Sequence, residues 1–198
     1  MSAKPKMKLS VEEYLVLDEA AERGSEYHDG ELFAIVDASF NHAVLGAKLG
    51  SAFSTRLRDS TCLGLQAPRV RTSSTQYVYP DFAVVCGKPQ FSIGHGETLE
   101  NPKVIVEILS PSTADFDHGG KFELYRNLPS FEEYLLVSQD EPRVEIFRKQ
   151  SPSSWSMNIV RGLGETVHVT SLGIEFPLNE LYEGVNFAAS APLMEELT

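Results

Sequence analysis

Cysteine is scarce. The 198 residues contain two, Cys62 and Cys86, and no Cys or His pair has zinc-finger spacing. Both lie in apolar, strand-like surroundings, so the expectation is two reduced core thiols in a cytoplasmic protein. No apolar stretch reaches the roughly 18 to 20 residues that a membrane helix needs, so no membrane partner is expected. The basic start, Met1 to Lys8, is followed by no apolar segment, which argues against a secretory signal. Repeats, low-complexity linkers and a Gly-rich phosphate loop of the Walker type are all missing. Positive charge is also short: 17 Lys and Arg face 28 Asp and Glu, a net charge of −11. Proteins that grip DNA through its phosphates usually carry a basic footprint. Here it would have to be local, at Arg56 with Arg58, Arg69 with Arg71, or Lys121 with Arg126. Each of these reads more simply as a solvated strand or helix face.

What remains is an ordinary globular composition, 42% apolar and 23% charged, of a length that one core can serve. The expected organisation is a flexible stretch over 1–8, a single domain over 9–185 and a frayed tail over 186–198. Ser10-Val11-Glu12-Glu13 is a capping box that opens a helix to about Ala21, with Tyr14, Leu15 and Leu17 on its apolar side. Asp29-Gly30 suits a type I′ turn, and its return strand runs through Phe33, Ile35 and Val36. Asn41 is expected to cap a second helix reaching about Asp59, with Val44, Leu45, Leu49, Ala52, Phe53 and Leu57 on a helical period. Strands are expected at 62–66, 70–72, 77–79, 82–86 and 103–109, with a loop over 87–101. A helix over about 114–128, weakened by Gly119-Gly120, leads to strands at 133–138, 143–149, 155–160 and 166–169 and a short helix from Leu178. The sum is an α/β (α+β) fold: a mixed central sheet flanked by helices, with extra β-hairpins.

Two runs carry the chemistry. Val104 to Leu109 is continuously apolar except for Glu107, and Asp81 opens the apolar run Phe82 to Cys86. A carboxylate inside an apolar strand must be paired, protonated or coordinating a metal, because an uncompensated buried charge is costly. Asp81 and Glu107 at one level of neighbouring strands would hold Mg²⁺ or Mn²⁺, hard ions that prefer oxygen ligands. A lysine nearby would add a compact positive charge for an attacking water and a phosphoryl transition state. Lys121 is the candidate: Asp117, Lys121 and Tyr125 are spaced to share one helix face. Glu26 is a third candidate carboxylate. His42, in the first turn of the second helix, is a candidate hydrogen-bond donor to a phosphate, or a proton carrier near neutral pH.

Taken together, Glu26-x-x-Asp29-Gly30-Glu31, His42, Tyr79-Pro80-Asp81, the block Val106-Glu107-Ile108-Leu109-Ser110-Pro111-Ser112-Thr113, Lys121-x-x-x-Tyr125 and Glu133-Tyr134-Leu135-Leu136-Val137 resemble the Uma-two family of restriction-endonuclease-like domains over about residues 8 to 184. The resemblance implies a PD-(D/E)XK nuclease fold and a magnesium site. It would be built on Asp81 and Glu107, with Glu26 as the N-terminal acidic ligand. The superfamily's lysine, two positions beyond the second acid, is Leu109 here, and the resemblance moves that role to Lys121.

The reading that follows is a Mg²⁺-dependent endonuclease acting on DNA by phosphodiester hydrolysis. Asp81, Glu107 and Lys121 are its catalytic set, with Glu26, His42 and Tyr125 in support. Acidity makes DNA binding weak or guided, and a homodimer is the reasonable assembly. The alternatives are a non-catalytic dimeric module that keeps the fold, or a metal-dependent hydrolase of a small phosphorylated molecule.

Overall fold

Helix α1 (Val11–Ala20) begins where its capping box places it. The Ser10 amide donates to Glu13 Oε2 at 2.8 Å, and the Glu13 amide donates to Ser10 Oγ at 3.2 Å. Its inward side is Tyr14 and Asp18, while Leu17 is half exposed, contrary to the expected apolar stripe. The reason is polar: Asp18 faces inward because it binds Arg69. The computed structural model describes residues 8–35, 38–92, 97–111 and 113–187. Val36, Ser112 and most of the two terminal segments lie outside the described residues.

Strands β1 (Ser25–His28) and β2 (Glu31–Ala34) pair antiparallel around Asp29 and Gly30, whose φ values of 50° and 100° match the expected I′ turn. Helix α2 (Phe40–Leu57) is capped by Ser39, not Asn41: the His42 amide donates to Ser39 Oγ at 3.1 Å. Asn41 is buried instead. It donates to the Gln139 and Asn186 carbonyls and accepts from the Asn186 amide, which anchors the chain at that point. Strands β3 (Cys62–Gln66), β4 (Val70–Ser73), β5 (Gln76–Val78), β6 (Phe82–Cys86) and β7 (Val104–Leu109) fall close to their expected positions.

The expected helix after β7 is interrupted. A turn of α3 (Ala114–Phe116) runs into a π-helical turn (Asp117–Lys121) and then α4 (Phe122–Arg126). Strands β8 (Glu133–Ser138), β9 (Arg143–Ser151), β10 (Ser154–Arg161), β11 (Thr166–Val169) and β12 (Ile174–Pro177) follow, then α5 (Leu178–Leu181). The β12 strand was not expected from the sequence; four residues leave little alternation to detect.

The main sheet has the order β10–β9–β8–β7–β6–β3. It is mixed, because β7 and β8 are parallel across the α3–α4 crossover and its other neighbours are antiparallel. A second sheet, β2–β1–β5–β4, stands beside it, with a β11–β12 hairpin as the third. This is the mixed α+β architecture the sequence implied.

The main sheet is covered on both faces. On one, Leu45, Leu49 and Phe53 of α2 pack on Val84, Val106 and Ile108. On the other, Tyr125 of α4 and Phe131 pack on Val85, Ile105 and Tyr134. Burying each such side chain contributes about 1.5–3 kcal/mol, so Phe53→Ala alone would cost roughly 3–5 kcal/mol. Strand β7, at the centre, is buried along its whole length, which is why its sequence does not alternate.

Cys62 and Cys86 stand directly opposite in the β3–β6 register and are joined as a disulfide. This corrects the expectation of reduced thiols: antiparallel pairing brings together two cysteines that the sequence shows only as separate apolar-strand residues. No helix among the described residues is long and apolar enough to cross a membrane.

Candidate active site

Alternation along β7 turns Glu107 to the same face as Ile105 and Leu109, the face under α4. The β6–β7 register pairs Phe82 with Val106, so Asp81 lies one step further on, level with Glu107. The two carboxylates lock onto each other's strands. The Asp81 amide donates to Glu107 Oε2 at 3.3 Å, and the Ile108 amide donates to Asp81 Oδ2 at 2.7 Å. The convergence expected from the sequence is therefore present.

Lys121 closes the group from the crossover. Its Nζ lies 3.1 Å from Glu107 Oε1, 3.1 Å from Glu26 Oε1 and 3.5 Å from Asp117 Oδ1. The π turn is what aims it. A π turn holds one more residue than an α turn and recurs at functional sites. Gly120 in that turn has no room for a side chain, since a Cβ there would sit 2.2 Å from the Phe116 ring. Leu109, two positions beyond Glu107, is a buried core residue, and the ammonium at Glu107 comes from the crossover rather than from β7.

The remaining candidates fall in place around this group. Tyr125 Oη donates to Glu107 Oε1 at 2.7 Å. His42 Nε2 lies 3.1 Å from Asp81 Oδ1. Glu26 comes from the second sheet, accepting from the Tyr79 amide at 3.2 Å and facing His28 Nε2 at 3.4 Å. All six residues singled out from the sequence meet in one region, and five of them, Tyr125 excepted, line a cavity of about 610 Å³. Asp117 belongs to the same group and was passed over as a site residue. Its signal was in the sequence, four residues before Lys121 on the same helix face. Ser39, Gln139, Phe33 and Phe116 also line the cavity, and no sequence signal marked them.

The electrostatics follow from burial. Burial works against the charge on Lys121, but Glu107, Glu26, Asp117 and Asp81 together hold its pKa above the ordinary lysine value. Burial pushes the Glu107 carboxyl well above the carboxylate range against the pull of Lys121, and Asp81 and Asp117 push the same way as burial. Burial raises Asp117 for the same reason. Glu26 goes the other way: burial opposes its charge, but His28, Lys121 and the Tyr79 amide outweigh it. His42 is raised, because its hydrogen bond to Asp81 and the charge of that carboxylate exceed the cost of burial.

These donors fit a divalent cation by chemistry. Three carboxylates share one ammonium with Asp81 beside them, and the buried Asp117 Oδ1 accepts no hydrogen bond. Oxygen donors of this kind suit Mg²⁺ or Mn²⁺. Among the described residues, no three His, Cys, Asp or Glu side chains are already gathered at coordinating geometry. Three of these carboxylates converge on Lys121 Nζ.

Four of the arginines weighed from the sequence form ion pairs within the protein, and one of them, Arg69, is buried. Arg56 pairs with Glu180, Arg69 with Asp18, Arg71 with Glu100, and Arg126 with Glu123.

Comparison with known proteins bears on family and fold. Residues 11–179 match the family Uma2, described as "Putative restriction endonuclease". The uncharacterised Synechocystis protein slr1290 is 32% identical over 185 residues, spanning 92% of this chain and 96% of its own. A second uncharacterised Synechocystis protein, sll1609, is 33% identical over 156 residues, 78% of this chain and 88% of its own. A crystal structure from Anabaena variabilis, titled as a putative nuclease belonging to DUF820, superposes with a TM-score of 0.71. It is 18% identical, covering 88% of this chain and 97% of that one, and the likeness is one of fold.

Proposed function

The chain belongs to the Uma2 family, and on that premise we propose that it is a metal-dependent endonuclease of the PD-(D/E)XK type, hydrolysing phosphodiester bonds in DNA. The observation that carries the reading is the meeting of Lys121 Nζ with Glu107 and Glu26 at 3.1 Å beside Asp81, from elements far apart in the chain. Buried charges so arranged are expensive to maintain unless used.

Asp81, Glu107 and Glu26 would hold the Mg²⁺ or Mn²⁺ ion. When bound, such an ion neutralises charge on a phosphate oxygen and makes water a better nucleophile near neutral pH. The other roles belong to this chain's own side chains. Tyr125 fixes one oxygen of Glu107, and the Asp81 amide fixes the other. His42 steadies Asp81 Oδ1, while the Ile108 amide holds Oδ2. Both His42 and Tyr125 are positioning residues. Lys121 is the catalytic cation. Its ammonium faces three carboxylates at the cavity wall, so it is placed to donate, orienting a water and offsetting charge that builds on phosphoryl oxygens. That assigns it orientation rather than removal of the water's proton. On this reading the protein works in the cytoplasm with its DNA, as a homodimer, and the Cys62–Cys86 disulfide is the observation that speaks against the cytoplasm.

The test is cleavage of plasmid and linear DNA by purified protein in Mg²⁺ and Mn²⁺. Asp81→Asn and Glu107→Gln are expected to abolish cutting while leaving the circular dichroism spectrum intact. Cutting by Asp81→Asn at the wild-type rate overturns the assignment. In parallel, titration calorimetry should record divalent-ion binding that weakens in Glu107→Gln.

A further inference from the structure

Resting on the nuclease reading, we propose that the DNA this protein cuts is unpaired, its bases stacking on the exposed rings of Phe33 and Phe116 at the mouth of the cavity.

Charge is the first ground. Affinity for duplex DNA comes largely from cations set against its phosphates. Among the described residues lining the cavity, Lys121 is the only lysine or arginine, and it faces three carboxylates. Of the arginines weighed above, Arg69 is buried against Asp18, while Arg56, Arg71 and Arg126 pair at the surface, and none of the four lines the cavity. The net charge of −11 adds long-range repulsion of a stiff polyanion. The phosphate grip is therefore weak for duplex and single strand alike, so affinity has to come from contacts other than phosphate.

Aromatic surface is the second. Phe33, on edge strand β2, is 49% exposed, and Phe116, at the end of α3, is 43% exposed; both line the cavity. The His28 ring stands edge-on to both, 5.1 Å from Phe33 and 5.7 Å from Phe116, so the three form one strip from the second sheet to the crossover. Phe40 is 72% exposed, next to Ser39 of the cavity wall. Large apolar groups left in water beside a polar hollow mark an interaction surface. Every base offers a π-face to such rings, and a stacked base is worth roughly 5- to 150-fold in affinity. A duplex keeps those faces against its own neighbours. Only an unpaired strand can present them.

The seat of Phe116 is the third. The ring lies over Gly120, where a Cβ would stand 2.2 Å away. The two-glycine turn that aims Lys121 inward thus also leaves space for this ring at the rim. The cavity, about 610 Å³, lies within the range of small-ligand pockets, roughly 300–1,000 Å³, which gives room for a nucleotide at the carboxylates.

The experiment compares one DNA sequence as a labelled single strand and as a duplex, with the same single strand in RNA. Fluorescence anisotropy in Ca²⁺ reads binding, and gel kinetics in Mn²⁺ read cleavage. Wild-type protein is expected to bind and cut the DNA single strand at least about tenfold better than the duplex. Phe33→Ala and Phe116→Ala should each weaken that binding by roughly 5- to 150-fold, raising KM with kcat little changed. Phe116→Tyr should stay near wild type, and melting curves check that the variants fold. Equal or better use of the duplex, or unchanged binding in both alanine variants, overturns the inference while metal-dependent cutting keeps the nuclease reading. Preference for the RNA strand over the DNA strand overturns the assignment to DNA. Single-strand binding that depends on the two rings, with no cleavage in either metal, supports the surface and removes the nuclease reading.

Discussion

The Nζ of Lys121 stands 3.1 Å from Oε1 of Glu107, although one residue lies on a central strand and the other in the crossover that follows it. The contact holds that crossover to the sheet. It also makes the lysine a structural part of the hollow: the same ammonium answers Glu26 from the second sheet and Asp117 from its own turn.

Lys121→Met should therefore destabilise the fold. It leaves three buried carboxylates with no cation, and removing one partner from a buried ion pair costs about 3–5 kcal/mol. Urea denaturation should show the loss. Millimolar Mn²⁺ should raise the Tm of this variant by more than that of the wild type, because an added cation then stands in for the missing ammonium. A variant as stable as wild type without metal would mean that the carboxylates do not need the lysine.

A second buried carboxylate is purely architectural. Glu133, at the start of β8, accepts from Arg148 Nε at 2.6 Å, from the Ser171 amide at 2.9 Å and from the Thr170 amide at 3.3 Å. It ties the β8–β9 pair to the short 3₁₀ turn after β11. Glu133→Ala strands two amides and a guanidinium and should cost roughly 3 kcal/mol. Glu133→Gln, which keeps an acceptor, should cost clearly less. Chemical denaturation distinguishes the two.

The Cys62–Cys86 link spans 24 residues between neighbouring strands. Constraining the unfolded chain over such a loop is worth about 3 kcal/mol. Thiol titration of unfolded, unreduced protein should find no free thiol. Dithiothreitol should lower the denaturation midpoint, and Cys62→Ser should show the lowered midpoint with or without reductant. Such bonds are uncommon in the cytosol, so the thiol count on protein prepared under argon also bears on where the chain works.

His118, next to Asp117 in the π turn but with its ring against Glu145, supplies a pH signature. Burial opposes its charge, but the Ala114 carbonyl at 2.7 Å and Glu145 at 3.2 Å raise its pKa above the ordinary histidine value. A raised folded-state pKa means that the protonated form is favoured by folding. The associated stability is complete below the unfolded value near 6.5 and fades as pH rises through the folded one. NMR titration of the His118 ring should give a value above 6.5 that falls in Glu145→Gln. An unchanged midpoint in that variant would remove Glu145 as the cause.

Strong local signals carried over from sequence to structure. The capping box, the Asp-Gly turn and the β6 and β7 runs each follow a rule that nearby residues satisfy by themselves. The reach of Asp81 to Glu107 was legible for a related reason, since a lone acid in an apolar run has few partners to choose from. What could not be read depended on residues far apart. Ser39 displaced Asn41 as a cap because Asn41 is drawn to Gln139 and Asn186. Leu17 lost its place on the inner face of α1 because Asp18 binds Arg69, and the pairing of Cys62 with Cys86 needed the β3–β6 register. Phe33 and Phe116 look like any core phenylalanine until the fold leaves them at a rim.

One more residue in a single helical turn has a consequence for reading such chains by pattern. The turn depends on glycine: a Cβ at position 120 would stand 2.2 Å from the Phe116 ring, so Gly120→Ala would disturb the turn that carries the ammonium without altering one of its acids. A pattern that asks for a lysine two positions past Glu107 meets Leu109 and passes over the ammonium that the fold brings in from position 121.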